Sequence, residues 1–356
     1  MGILKKAIML FFILISNNLF AQSDKLIYDC YTNSFNQLVA LQKNLDSISF
    51  AKAVFITENA YYDGHLSFQK FLDDVENLAF LSITYAKVNK LSYKAKDNSN
   101  ITLHGAIFKI MTDSFPIIID TTTVHHIPFT YDFNDIWGDS LWENMFVTKL
   151  LVTHRGNCHS LPFLYKMIAE YLGIKAYLAL APNHIYIKTY SEEFGWYNTE
   201  LTSATFPLDS WLVASGYIHL TAIQNGVYMK ALDNKQAIAI CFTDLAEGFK
   251  RKTNKTDDDF IIKCCDTALY YYPHYVNAMI LKAETIKAKY EILSNKQSLS
   301  DSDQVQKNSL YSSMEQIYKQ VYKLGYRSMP KEMYLKWVQS LQVENEKYIN
   351  KNINIK

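Results

Sequence analysis

Between residues 161 and 201 the chain changes its hydrophobic period once, and that change restricts the fold more than any other feature of its 356 residues. Leu161, Leu164, Tyr165, Ile168, Tyr171 and Leu172 recur at helical spacing, and Gly173 supplies a C-terminal stop. Three short runs of strand character follow. Residues 176–181 form the first, and Ala181-Pro182-Asn183 is a turn. Residues 184–190 form the second, with Ile185 and Ile187 alternating against Tyr186 and Lys188. Residues 191–195 are a polar turn before a third strand over 196–201. A helix followed by an antiparallel sheet is an α+β layout.

The segment His154-Arg155-Gly156-Asn157-Cys158-His159-Ser160 leads into that helix. Cys158 is therefore expected at a helix N-terminus, where the dipole and free N–H groups stabilise a thiolate. A core-helix cysteine is more often a small hydrophobe, so a structural thiol is the plain alternative. Gly156 would allow a tight entry and close approach of a substrate backbone, and the Cys158 N–H is a natural oxyanion donor. His184 opens the second strand directly after a turn, where its ring can face a helix end; a histidine in such a place, taken alone, is more often a hydrogen-bonded surface residue. Asn183 beside it is a turn residue or a substrate contact. Glu200, expected on the adjacent strand, could accept the other imidazole N–H and set the tautomer. Trp196 on that strand is expected to pack beneath the site. Thiol, imidazole and carboxylate in this order are the parts of an activated sulfur nucleophile. His154 and His159 flank the thiol, yet Cys158, His154, His159 and His184 match no recognised zinc spacing, so no metal is expected.

The flanks add context. Lys5 and Lys6, the apolar stretch Ala7 to Ile15 and the small residue Ala21 describe a cleavable secretory signal over 1–21, which leaves about 335 residues and suggests two domains. Export to the periplasm or beyond is expected, without membrane insertion after cleavage. Hydrophobic residues make up 49% of the chain, enough for a sizeable core. A net charge of +1 with no basic block gives nucleic-acid binding no electrostatic support. Cys30, Cys158, Cys241, Cys264 and Cys265 are too few and scattered for a disulfide framework, and adjacent Cys264 and Cys265 read as buried structural thiols. Residues 24–90 read as helical, and 101–129, richer in β-branched residues with Pro116 and Pro128, as short strands and loops. Residues 251–259 read as a charged linker. Beyond it, Ala268, Pro273, Ala278 and Ala283 have the spacing of a tetratricopeptide-type helix pair. Residues 294–306 read as a polar loop, and 314–325 with Pro330 as a degenerate second copy or a generic helical tail.

Arg155-Gly156-Asn157-Cys158, a helix ending in Leu172-Gly173-Ile174, His184 in a strand and Trp196 four residues before Glu200 together resemble the transglutaminase-like superfamily. The likeness is clearest over residues 142–211. It implies a papain-like core, a helix carrying Cys158 against an antiparallel sheet, with a helical N-terminal region and an all-α tail. The organisation expected is 22–130 for the N-terminal region, 131–248 for the core and 257–345 for the tail. By position, Cys158 would be the nucleophile, His184 the base and Glu200, where the family usually has Asp, the orienting carboxylate. Arg155, Gly156, Asn157, Asn183 and Trp196 would line the site. Pro162, in the first or second helical turn, can shift the helix start. The resemblance implies a cysteine peptidase or amidase acting on a peptide or protein through a thioacyl-enzyme, with no cofactor; no acidic loop has calcium spacing. A catalytically inactive module that binds peptide or protein through the same cleft and the helical tail is the alternative.

Overall fold

The computed structural model describes residues 24–43 and 49–354, so the expected signal over 1–21 lies outside the described residues. Four helices come first: α1 (24–43), α2 (Phe50–Tyr61), α3 (Phe68–Val88) and α4 (Asn98–Thr112). Ser49 and Ser67 cap α2 and α3, each accepting from the backbone N–H three residues on. The strand reading of 101–129 is overturned in its first half, because α4 runs through Thr112. Its Ile107, Phe108, Ile110 and Met111 are buried, and packing against neighbouring helices outweighs the weak strand preference of its β-branched residues. Strand character is realised only in the hairpin of β1 (Pro116–Ile119) and β2 (Thr122–His125).

Next, β3 (Thr130–Tyr131) pairs in parallel with β4 (Arg155–Gly156), and a 3₁₀ turn (Trp142–Met145) and α5 (Val147–Thr153) lie between them. The helix α6 (Ser160–Tyr171) follows, and Gly173, at φ +70°, turns the chain out of it. Then come β5 (Tyr177–Ala181), β6 (His184–Ser191) and β7 (Gly195–Thr199), antiparallel in that order, as the alternation and turns imply. In β6 the inside–outside alternation is lost: Tyr186, Ile187, Lys188 and Thr189 are all buried, because both faces of the sheet are covered. The open edge of β5 is closed by Met229 and Leu232, whose N–H groups donate to Leu180 and Leu178 at 2.9 Å.

Helices complete the chain: α7 (Asp209–Ser215), α8 (Leu220–Gln224), α9 (Asn234–Thr253), α10 (Asp259–Tyr271), α11 (Val276–Ser294), α12 (Asp301–Lys323) and α13 (Lys331–Asn354). The expected linker is mostly helix. Arg251, Lys252 and Thr253 form the last turn of α9, where cations meet the negative end of the helix dipole, and only 254–258 connect to α10. The expected polar loop is likewise short, since the Ser300–Asp303 capping box starts α12 at Asp301. Rings from both ends of the chain share one core: Phe35 meets Phe242 at 5.6 Å, Tyr31 meets Phe249 at 5.4 Å and Phe249 meets Phe260 at 4.8 Å. Ala268, Ala278 and Ala283 are fully buried in the packed helices α10 and α11. Cys241, Cys264 and Cys265 are buried and free, and no disulfide joins the described residues. No described helix is long and apolar enough to cross a membrane.

Candidate active site

The entry to α6 is built by Asn157. Its buried side-chain oxygen accepts the N–H groups of His159 at 2.9 Å and Ser160 at 3.4 Å, and its amide nitrogen donates to Ile136 O at 3.4 Å. Pro162 sits within the first helical turn without displacing this start. Gly156 is required by crowding: a β-carbon there would lie 2.2 Å from Ser160 Oγ, whose hydroxyl is held by Asn144 O at 2.9 Å. This packing fixes Cys158 just before the helix. Its main-chain N–H donates to no acceptor among the described residues, which leaves it free for an oxyanion.

The turn between β5 and β6 brings the imidazole to the thiol. Asn183 adopts φ +57°, and its carbonyl oxygen lies 3.8 Å from Cys158 Sγ. His184 then opens β6 with Nε2 2.5 Å from Glu200 Oε2, so Nδ1 is the nitrogen left for Cys158, whose sulfur is near enough to raise the imidazole. Glu200 stands just beyond β7, in a turn closed by mutual N–H···O contacts with Thr205, and its second oxygen accepts from Thr202 N at 2.8 Å. Cys158, His184 and Glu200 thus form one contiguous chain of side chains, all buried. Burial opposes charge on His184, but the Glu200 carboxylate and the Cys158 sulfur outweigh it and raise the imidazole to about 10. Burial also opposes ionisation of Cys158, and His184 outweighs it and holds the thiol below its ordinary value. Each of the two groups thus stabilises the charged form of the other.

Several neighbours went unread in the sequence. His159 Nδ1 lies 2.9 Å from Met145 O and its Nε2 lies 3.1 Å from Asp244 Oδ2. Burial opposes charge on this ring, but Asp244 outweighs it and raises its pKa, and the charged ring in turn lowers the Cys158 thiol. Glu58 accepts from Val147 N at 2.7 Å and Thr148 N at 2.8 Å, and burial raises it to about 7. Tyr131 and Tyr334 stand close enough to Cys158 for its sulfur to raise their hydroxyls, burial being the larger cause, and Trp337 packs edge-on against His184 with ring centroids 4.8 Å apart. The spacing of Tyr334, Trp337, Val338 and Leu341 marks a helix face, though nothing local says what it covers.

Two expected site residues lie elsewhere. Arg155 points outward and pairs with Asp132 at 3.2 Å. Trp196 is 49% exposed and stands edge-on to Tyr177 and Tyr190, rather than beneath the site. Trp196 stands at the exposed start of β7, and the chain reaches the site with Glu200, just past the strand's end. His154 is also turned away, stacked on Phe129 at 4.6 Å. Asn157, Cys158, His159, Asn183 and His184 do border a common cavity of about 390 Å³, whose other wall comes from α9 and α11.

No known protein family, curated protein or solved structure matches this chain.

Proposed function

We propose that this protein is an exported cysteine hydrolase of transglutaminase-like type, with a papain-like core, that cleaves peptide or carboxamide bonds through a thioacyl-enzyme. One observation carries the reading: a buried thiol, imidazole and carboxylate in direct succession, each sent to the same place by a different local element. The Cys158 thiolate attacks the carbonyl carbon, a C–S bond forms, and the oxyanion takes the free Cys158 N–H. His184 gives its proton to the departing nitrogen as the C–N bond breaks. Neutral His184 then removes a proton from water, whose oxygen attacks the thioester; the C–S bond breaks, the acid leaves, and the thiolate–imidazolium pair is restored. Glu200 holds His184 in the required tautomer throughout.

Iodoacetamide at about pH 6 tests this. Cys158 is expected to alkylate at least about tenfold faster than Cys30, although Cys30 is the more exposed and burial raises its thiol. His184→Ala should abolish the preference. Equal, slow labelling of both cysteines in the native protein would reduce the cleft to a peptide-binding site.

A further inference from the structure

A nucleophile that cuts a chain needs room on both sides of the bond, one for the acyl portion and one for the leaving portion. Cys158 has it on one side only. Towards α9 and α11 it borders the cavity of about 390 Å³. On the other side stands α13. Its buried stripe is Tyr334, Trp337, Val338 and Leu341, the face of an amphipathic helix seated in a groove. The Tyr334 hydroxyl donates to Asn183 O at 3.2 Å, the same oxygen that the thiol faces, and its ring lies 4.5 Å from Trp137. Trp337 closes over the imidazole.

The seat is tight yet incompletely satisfied. Trp337 Nε1 is buried without an acceptor among the described residues, a cost that packing elsewhere must offset. The far end of α13 is tied by polar contacts, the Tyr348 hydroxyl donating to Asp113 at 2.6 Å and accepting from Lys109 Nζ at 2.9 Å. The helix is joined to α12 by the short segment 324–330, which can act as a pivot.

We infer that α13 is a resident plug in the substrate groove: it fills the leaving or acyl side of the cleft, must swing out before a peptide can bind, and vacates a slot that takes an aromatic side chain of that peptide. This rests on Cys158 being the nucleophile. The vacated slot would present the Trp137 ring and the Asn183 carbonyl, a face and an acceptor suited to a tyrosine or tryptophan.

Two reagents of one chemistry and different size separate access from reactivity. In the full-length protein, iodoacetamide enters through the open cavity, whereas fluorescein-iodoacetamide needs the groove; labelling at Cys158 is read by peptide mass spectrometry. Wild type is expected to admit the first and exclude the second. Tyr334→Ala/Trp337→Ala should raise the ratio of the bulky to the small labelling rate about tenfold or more, the small rate absorbing any change these residues make to the thiol itself, with thermal melting showing the fold retained. A peptide of residues 331–345 added to that variant should restore exclusion, and the same peptide with both aromatics replaced by alanine should not. Tyr348→Phe, far from the groove, should shift the rate in the same direction by less. Equal access of the bulky reagent to wild type, or its continued exclusion from the folded double variant and from Tyr348→Phe, would overturn the plug. His184→Ala in the opened protein separates the two ideas: an unchanged iodoacetamide rate there sinks the nucleophile, while the bulky-to-small ratio still reports on α13.

Discussion

Two buried histidines lie against α6 and titrate in opposite directions. At its N-terminus, His184 is raised to about 10; further along, burial lowers His104 to about 4. Both are enclosed to a similar degree, so enclosure is not what separates them. His104 faces the Tyr165 hydroxyl at 3.1 Å, a neutral partner, whereas His184 faces a carboxylate at 2.5 Å. The thiols repeat the contrast. Burial pushes Cys241 well above its ordinary value, while Cys158, also buried, is lowered by its imidazole against the same effect. The cavities follow suit: His104 borders an apolar, aromatic-lined one of about 680 Å³, larger than the one that reaches Cys158. Cavity volume therefore does not track these shifts. A buried charge partner does.

The sharpest way to erase the contrast is Glu200→Gln, which makes the His184 environment like that of His104. Alkylation of Cys158 at about pH 6 should fall roughly tenfold, its midpoint moving to higher pH, because each lost unit of pKa costs that factor. Stability carries a matching signature. A histidine raised in the fold contributes stability that is complete below the unfolded value of 6.5 and is lost as pH rises towards about 10. The gap between wild type and Glu200→Gln in chemical denaturation should therefore be widest in mild acid and close in the alkaline range. A gap of constant width would break the comparison.

A smaller change is expected from Asp244→Asn. It leaves His184 and Glu200 untouched but removes the carboxylate that raises His159. The Cys158 alkylation profile should move to higher pH with a loss of about threefold at pH ~6. A purely structural role would lower the melting temperature and leave that profile in place. The smallest effect belongs to the other histidine. Native His104 refuses a proton that the unfolded chain accepts, so wild-type stability declines as pH falls from 6.5 towards about 4. His104→Gln should flatten that slope in denaturation curves while leaving Cys158 reactivity unchanged, and a Cys158 response would show that the two regions are coupled.

Much of the centre was legible. Helix and strand periods, Gly173 and the Asn183 turn mark the segments from α6 to β7, because these elements follow from local backbone and burial rules. Cys158 and His184 were readable because each stands at the end of such an element. Trp196 was misplaced for a physical reason: burial along β7 rises from its exposed start at Trp196 to its enclosed end at Thr199, so position along the strand outweighs the two-residue period that links Trp196 with Glu200. Residues 101–112 were misread because helix packing outweighs the preference of β-branched residues. Asp244 gave no signal, lying far along the chain within an otherwise ordinary helix.

The order of residues by itself determined the α+β centre, the hairpins that present His184 and Glu200, and the helix start that presents Cys158, since each depends on neighbours a few positions away. Only the tertiary structure decided that these three meet, that His159 faces Asp244, and that Tyr334 of α13 reaches back more than a hundred residues of sequence to the Asn183 carbonyl beside the thiol. Such contacts depend on which buried faces find each other in space. No local pattern carries that information.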